Sequence, residues 1–107
     1  EVRLAAKSAQ DRKGEDILVL DLRELSAFTD FFVIMNGNSS RQNQALMEGI
    51  EEDLKKKGLR PLGVEGRENA EWILMDYGYF LVHIFSVESR KHYSLEKLWG
   101  DAPSARY

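Results

Sequence analysis

The sequence has no cysteine among its 107 residues. Disulfides and thiolate zinc sites are therefore excluded, and a reducing compartment is permitted without being required. It also lacks long apolar runs. The longest spans about five residues, against the roughly 20 needed to cross a bilayer, so no membrane segment is expected. Nor is there an excess of positive charge: 15 Lys and Arg stand against 18 Asp and Glu, for a formal charge of −3. A protein that gains affinity by displacing phosphate counterions carries the opposite balance, so little direct nucleic-acid binding is expected. A basic protein partner stays open. Imidazoles are scarce, with two in all, His83 inside an apolar run and His92 in a polar one. Two histidines nine positions apart, with no HExxH and no cysteine pair, give neither a nucleophilic triad nor a metal-ligand spacing. No repeat or low-complexity tract interrupts the chain, and its first ten residues lack the basic-then-apolar pattern of a secretory leader.

What is present is enough to fold. Hydrophobic residues make up 43% of the chain and fall in discrete runs, and the length is near that of one typical domain, so residues 1–107 are expected to share one core. Val2, Ala5, Ala6 and Ala9 recur at helical spacing, which predicts a helix over Val2–Lys13 ended by Gly14. Asp16–Asp21 and Phe31–Met35 are short continuous apolar runs of the kind covered on both faces, read as two central strands. Ser39 followed by Gln42 has the capping-box form. From there Leu46, Met47, Ile50 and Leu54 keep helical spacing until Gly58, a suitable residue to follow a helix.

Leu59–Gly66, with Pro61 and two glycines, reads as a connector with a short edge strand over Leu62–Glu65. Trp72–Asp76 and Tyr79–Phe85 read as a hairpin about Tyr77-Gly78. Ser94 is placed to cap a short helix over Leu95–Trp99 before a polar tail from about residue 101. This order predicts a mixed β-sheet of about five strands flanked by helices, on the border of α/β and α+β.

Two places invite chemistry. The Gly37-Asn-Ser-Ser40 turn joins a strand to a helix, where backbone N–H groups and the helix dipole can hold a phosphate. It has neither GxxxxGK[ST] nor GxGxxG, so it reads first as a capped turn. A nucleotide-binding enzyme built on it is the alternative. Metal-dependent nucleotidyl transfer also needs clustered carboxylates, and the strand Trp72-Ile-Leu-Met-Asp76 offers one. No catalytic residue, metal site or cofactor is therefore assigned. The second place is Glu65–Asp76, where Glu65, Glu68, Glu71 and Asp76 accompany a single cation, Arg67. Alternation along an extended strand puts Trp72, Leu74 and Asp76 on one face and Ile73 and Met75 on the other. A large aromatic, an aliphatic and an acid on one face suit a basic protein partner, because Trp is enriched at interface hot spots and acids steer cations.

Six blocks, in this order, resemble one family: Thr29-Asp-Phe-Phe-Val-Ile34, Gly37-Asn-Ser-Ser-Arg-Gln42, Gly63-Val-Glu-Gly66, Glu71-Trp-Ile-Leu-Met-Asp-Tyr-Gly78, Val82-His-Ile-Phe85 and Tyr93-Ser-Leu-Glu-Lys-Leu-Trp-Gly-Asp-Ala102. Together they look like the ribosomal silencing factor (RsfS, Iojap-like) family across nearly the whole chain. The resemblance implies a nucleotidyltransferase-like fold without catalysis. It implies a non-enzymatic factor that binds the fourteenth large-subunit ribosomal protein where the small subunit docks, and so blocks subunit joining sterically. That would repress translation or assist large-subunit biogenesis. It further implies a homodimer when free, placed in the cytoplasm or an organellar matrix, with Trp72, Leu74, Asp76 and Tyr77 as partner-binding residues. Two positions depart from the family pattern: Tyr79 replaces a usual acid, and Ala70 stands where glycine is frequent.

Overall fold

Ten elements follow one another in the structure, a computed structural model that describes residues 1–107: α1 (Val2–Asp11), β1 (Glu15–Asp21), β2 (Phe31–Asn36), α2 (Ser40–Lys55), β3 (Gly63–Glu65), β4 (Trp72–Asp76), β5 (Phe80–Phe85), α3 (Val87–Tyr93), α4 (Leu95–Leu98) and β6 (Ser104–Arg106). The strands form one open mixed sheet in the order β3-β4-β5-β2-β1-β6. All neighbours are antiparallel except β2 and β5, which run parallel at its centre.

Strand alternation divides the apolar residues between two layers. Val33, Met35, Ile73, Met75, Val82 and Ile84 point to one face, where α1 and α2 cover them with Ala5, Ala6, Ala9, Leu46, Ile50 and Leu54. Leu18, Leu20, Phe32, Ile34 and Phe85 point to the other, against a thinner cover that includes Leu95, Trp99 and Ala102. The second face is therefore the one left partly open.

Local chemistry sets the ends of α2. The Ser39 hydroxyl accepts from the Gln42 amide at 3.0 Å. Gln42 Oε1 returns to the Asn38 amide at 2.7 Å and not to Ser39, so the capping box is displaced by one residue. At the far end Gly58, at φ +81°, lets its amide reach Lys55 O at 2.9 Å and the Leu59 amide reach Leu54 O at 3.0 Å, a Schellman pattern. The two helices are clamped where Arg12 Nη1 and the Ser8 hydroxyl both donate to Asp53 Oδ2, each at 2.7 Å. The Ser8 hydrogen bond first, and Arg12 second, hold the Asp53 carboxyl below the usual range. A Cβ on Gly49 would lie 1.8 Å from Arg12 Nε, so the missing side chain is what lets that arginine cross α2.

Four expectations are corrected. The sheet has six strands, not about five, because Ser104–Arg106 in the expected tail pairs with Leu18–Leu20 of β1. Its three residues are exposed, so no buried alternation marks them. The sheet's central pair is β5 and β2; β1 lies next to the edge. Helix α3 lies in a stretch where no helix is expected. Its sequence VESRKHY has no apolar stripe; the helix is capped by Ser86 Oγ, which accepts from the Ser89 amide at 3.1 Å. Buried Arg90 then anchors it, donating to Asn36 Oδ1 at 2.7 Å and to Glu96 Oε2 at 3.1 Å. Finally, Ser94 makes no side-chain cap to α4, which ends at Leu98. Its hydroxyl donates backwards to Lys91 O at 2.6 Å.

Candidate functional site

Strand β4 shows the alternation expected of it: Trp72, Leu74 and Asp76 are half-buried, whereas Ile73 and Met75 are buried beneath the helices. The first three thus share the thinly covered face. Register places Trp72 beside Phe85, Leu74 between His83 and Glu65, and Asp76 beside Leu81. Exposed Glu65 therefore borders the row on its outer side. Asp76 also has a local task, since its Oδ1 accepts from the Gly78 amide at 2.8 Å and so shapes the hairpin turn.

Tyr77 is not brought together with them. It is 5% exposed, lies in the core under the helices and stacks on Phe80 at 4.9 Å. Burial, with Glu51 nearby, pushes its hydroxyl up to about 12. It offers a partner almost no surface. Tyr79, one of the family departures, reaches the Glu1 carboxylate with its hydroxyl. Burial first and that contact second push it up to about 12. Ala70, the other departure, has φ +59°. That is a left-handed backbone which glycine adopts without strain, so the glycine that the resemblance leads one to expect there would fit it.

The open face contains residues that sequence reasoning left aside. Trp72 Nε1 donates to His83 Nδ1 at 3.0 Å. The indole also packs on Phe85 and Tyr93, with ring centroids at 5.0 and 4.5 Å. Tyr93 is 49% exposed and extends the aromatic surface from the sheet onto α3. Alternation along β5, with the hairpin pairing, was signal enough to place Leu81 and His83 on this face. Tyr93 had none, because α3 carries no periodic pattern. His83 is 4% exposed, and burial lowers its pKa to about 4, which keeps the ring neutral. Because an indole N–H can only donate, His83 Nδ1 must be the acceptor nitrogen and its proton sits on Nε2. That Nε2 is buried without a partner.

The Gly37–Ser40 turn lies at the end of the sheet opposite to Asp76 and borders a cavity of about 370 Å³. Glu71 and Glu88 line it and no Lys or Arg does. Its Asn38 and Gln42 amides already serve side chains of the turn. A phosphate asks for the reverse of this charge. A larger hollow of about 710 Å³, beside Arg90, is lined by charges of both signs from β1, α3, α4 and β6. No three His, Cys, Asp or Glu residues come together as a metal cluster, and no helix is long and apolar enough to cross a membrane.

Fold and face together define a small mixed α/β protein carrying a half-open, aromatic sheet surface with acids at its border. The family described as ribosomal silencing factor during starvation matches over residues 1–107, and the chain belongs to it. It is 41% identical over 104 residues to the ribosomal silencing factor RsfS of Bacillus subtilis, covering 97% of this chain and 88% of that one. It is 30% identical over 93 residues to the mouse protein named mitochondrial assembly of ribosomal large subunit protein 1, covering 84% of this chain but 41% of the mouse one. A crystal structure of a Chromobacterium violaceum protein superimposes with a TM-score of 0.89 at 37% identity, covering 92% of this chain and 82% of that one.

Proposed function

We propose that this protein acts without catalysis, by seating the open face of β4 on the fourteenth protein of the large ribosomal subunit and sterically blocking the small subunit. Translation is thereby held down, or an immature large subunit is guarded. The observation that carries the reading is the Trp72–Leu74–Asp76 row itself, a half-buried aromatic and aliphatic surface with Glu65 alongside. Ribosomal proteins are generally basic, and such a face offers them an apolar anchor with carboxylates around it. Tyr77 enters this reading as a core residue behind the turn, not as a contact. The family supplies the ribosome, and the name of the mouse relative supplies the large subunit. The working place is the cytoplasm or an organellar matrix, where ribosomes are, with the unbound protein as a homodimer.

The test is co-sedimentation with separated large and small subunits, followed by binding to the purified fourteenth protein. Folded Trp72→Ala should weaken large-subunit binding by about 2 kcal/mol or more. Asp76→Asn keeps the Oδ1 acceptor for Gly78 and removes only the charge, so it should slow association and flatten the salt dependence. Full affinity of a folded Trp72→Ala protein would remove this face from the reading.

A further inference from the structure

Trp72 is held at three points, and one of them is polar. Phe85 and Tyr93 pack on the indole ring, and such apolar packing tolerates sliding and tilting. The 3.0 Å bond from Nε1 to His83 Nδ1 does not, because a hydrogen bond is directional. His83 in turn is fixed by its place in a central stretch of β5 between Leu74 and Ile34. Phe32 lies edge-on to it at 4.4 Å and Phe85 stacks at 6.0 Å. The arrangement carries a cost, since the tautomer that accepts from Trp72 leaves Nε2–H buried without a partner. A residue kept only to fill space here would be phenylalanine or leucine, which incur no such cost.

We propose that His83 is the positioning residue of the docking face: it binds the indole N–H of Trp72 from within, locking one orientation in which the ring meets a partner with carbon alone. This rests on the reading of Trp72 as a contact. It deepens that reading by naming the chemistry the contact can take. With its one donor occupied, the indole is left to recognise apolar groups and the cationic heads of Arg or Lys over its face, not hydrogen-bond acceptors. Preorganisation of this kind acts on affinity by removing the entropy of freezing a mobile ring at the interface.

The experiment uses the full chain with ¹⁵N-labelled tryptophan. Trp99, the second tryptophan, makes no side-chain hydrogen bond within the chain and serves as an internal reference for indole N–H exchange; Trp99→Phe assigns the two signals. His83→Phe keeps a ring and removes the acceptor; His83→Asn restores an acceptor near the position of Nδ1. In the starting protein the Trp72 N–H should exchange more slowly than that of Trp99. His83→Phe should abolish the difference and speed dissociation from large subunits about tenfold, the equivalent of one ordinary hydrogen bond. His83→Asn should recover both. Trp72 protection or large-subunit dissociation unchanged in folded His83→Phe, while Trp72→Ala does lose binding, overturns the positioning role and leaves the docking face intact. Unchanged binding in Trp72→Ala overturns the docking face and the positioning role with it.

Discussion

Acid should unfold this protein partly through His83, and the size of the effect follows from its burial. In the fold the imidazole protonates only near pH 4, whereas in an unfolded chain it does so near its ordinary value of about 6.5. Between those two values the unfolded state binds one proton more than the folded state, so stability falls as pH falls. His83 imposes no penalty above about 6.5, costs roughly 1.4 kcal/mol per pH unit within the window, and adds nothing further below about 4. The total is about 3 kcal/mol, a large part of a small domain's stability. Urea unfolding of the parent and of His83→Phe at several values between about pH 7.5 and 4 measures it, because the variant has no proton to take up there. Asp21, lowered chiefly by Arg23, and Asp53, lowered by Ser8 and Arg12, titrate in both proteins and cancel in the difference. The parent should lose about 3 kcal/mol relative to the variant across the window. A difference that stays flat, or that moves in the parent's favour as acid is added, would show that the imidazole is hydrated or paired in the fold.

Further outcomes follow from the packing. Ile50 is fully buried between α2 and the sheet, so Ile50→Ala should cost roughly 2–5 kcal/mol in a denaturant melt; a loss below about 0.5 would refute the helical register. Ser86→Ala removes the cap of α3 and should cost about 1 kcal/mol, read as faster amide exchange over residues 87–89. A double-mutant cycle of Arg12→Ala with Asp53→Ala should return a coupling of about 1 kcal/mol, and zero coupling would mean that the α1–α2 clamp is ornamental.

Periodicity explains which parts of this fold could be read in advance. β1, β2, β4, β5 and α2 each bury apolar side chains and each spans the stretch its apolar pattern marked, although β1 lies next to the edge and not at the centre. α3 escaped because its hold on the molecule is Arg90, whose acceptors Asn36 and Glu96 come from other elements and leave no local trace. β6 escaped because an exposed edge strand asks nothing of its side chains but extension. At the site, alternation grouped Trp72, Leu74 and Asp76 correctly. The same alternation puts Tyr77 with Ile73 and Met75, on the buried side; it was the family resemblance that grouped it with the outward row. The Trp72–His83 bond is legible only once the register of β4 on β5 is known, since it runs diagonally between positions that are not paired.

The parallel contact at the centre of the sheet also governs how the chain finds its shape. Phe31–Asn36 of β2 pairs with Phe80–Phe85 of β5, stretches about 50 positions apart, while β1–β2 and β4–β5 are local hairpins. Hairpins close in microseconds, but bringing these two together closes a loop of about 50 residues, which costs more chain entropy than either hairpin before any contact repays it. The slow event of folding is then expected to be the pairing of β2 with β5, which buries Val33 against Val82. Substitutions at those two valines should slow refolding, whereas substitutions in β6, docked on the far side of β1, should leave refolding alone and hasten unfolding. In a chevron experiment the middle of the sheet would set the rate of arrival and its margin the rate of departure.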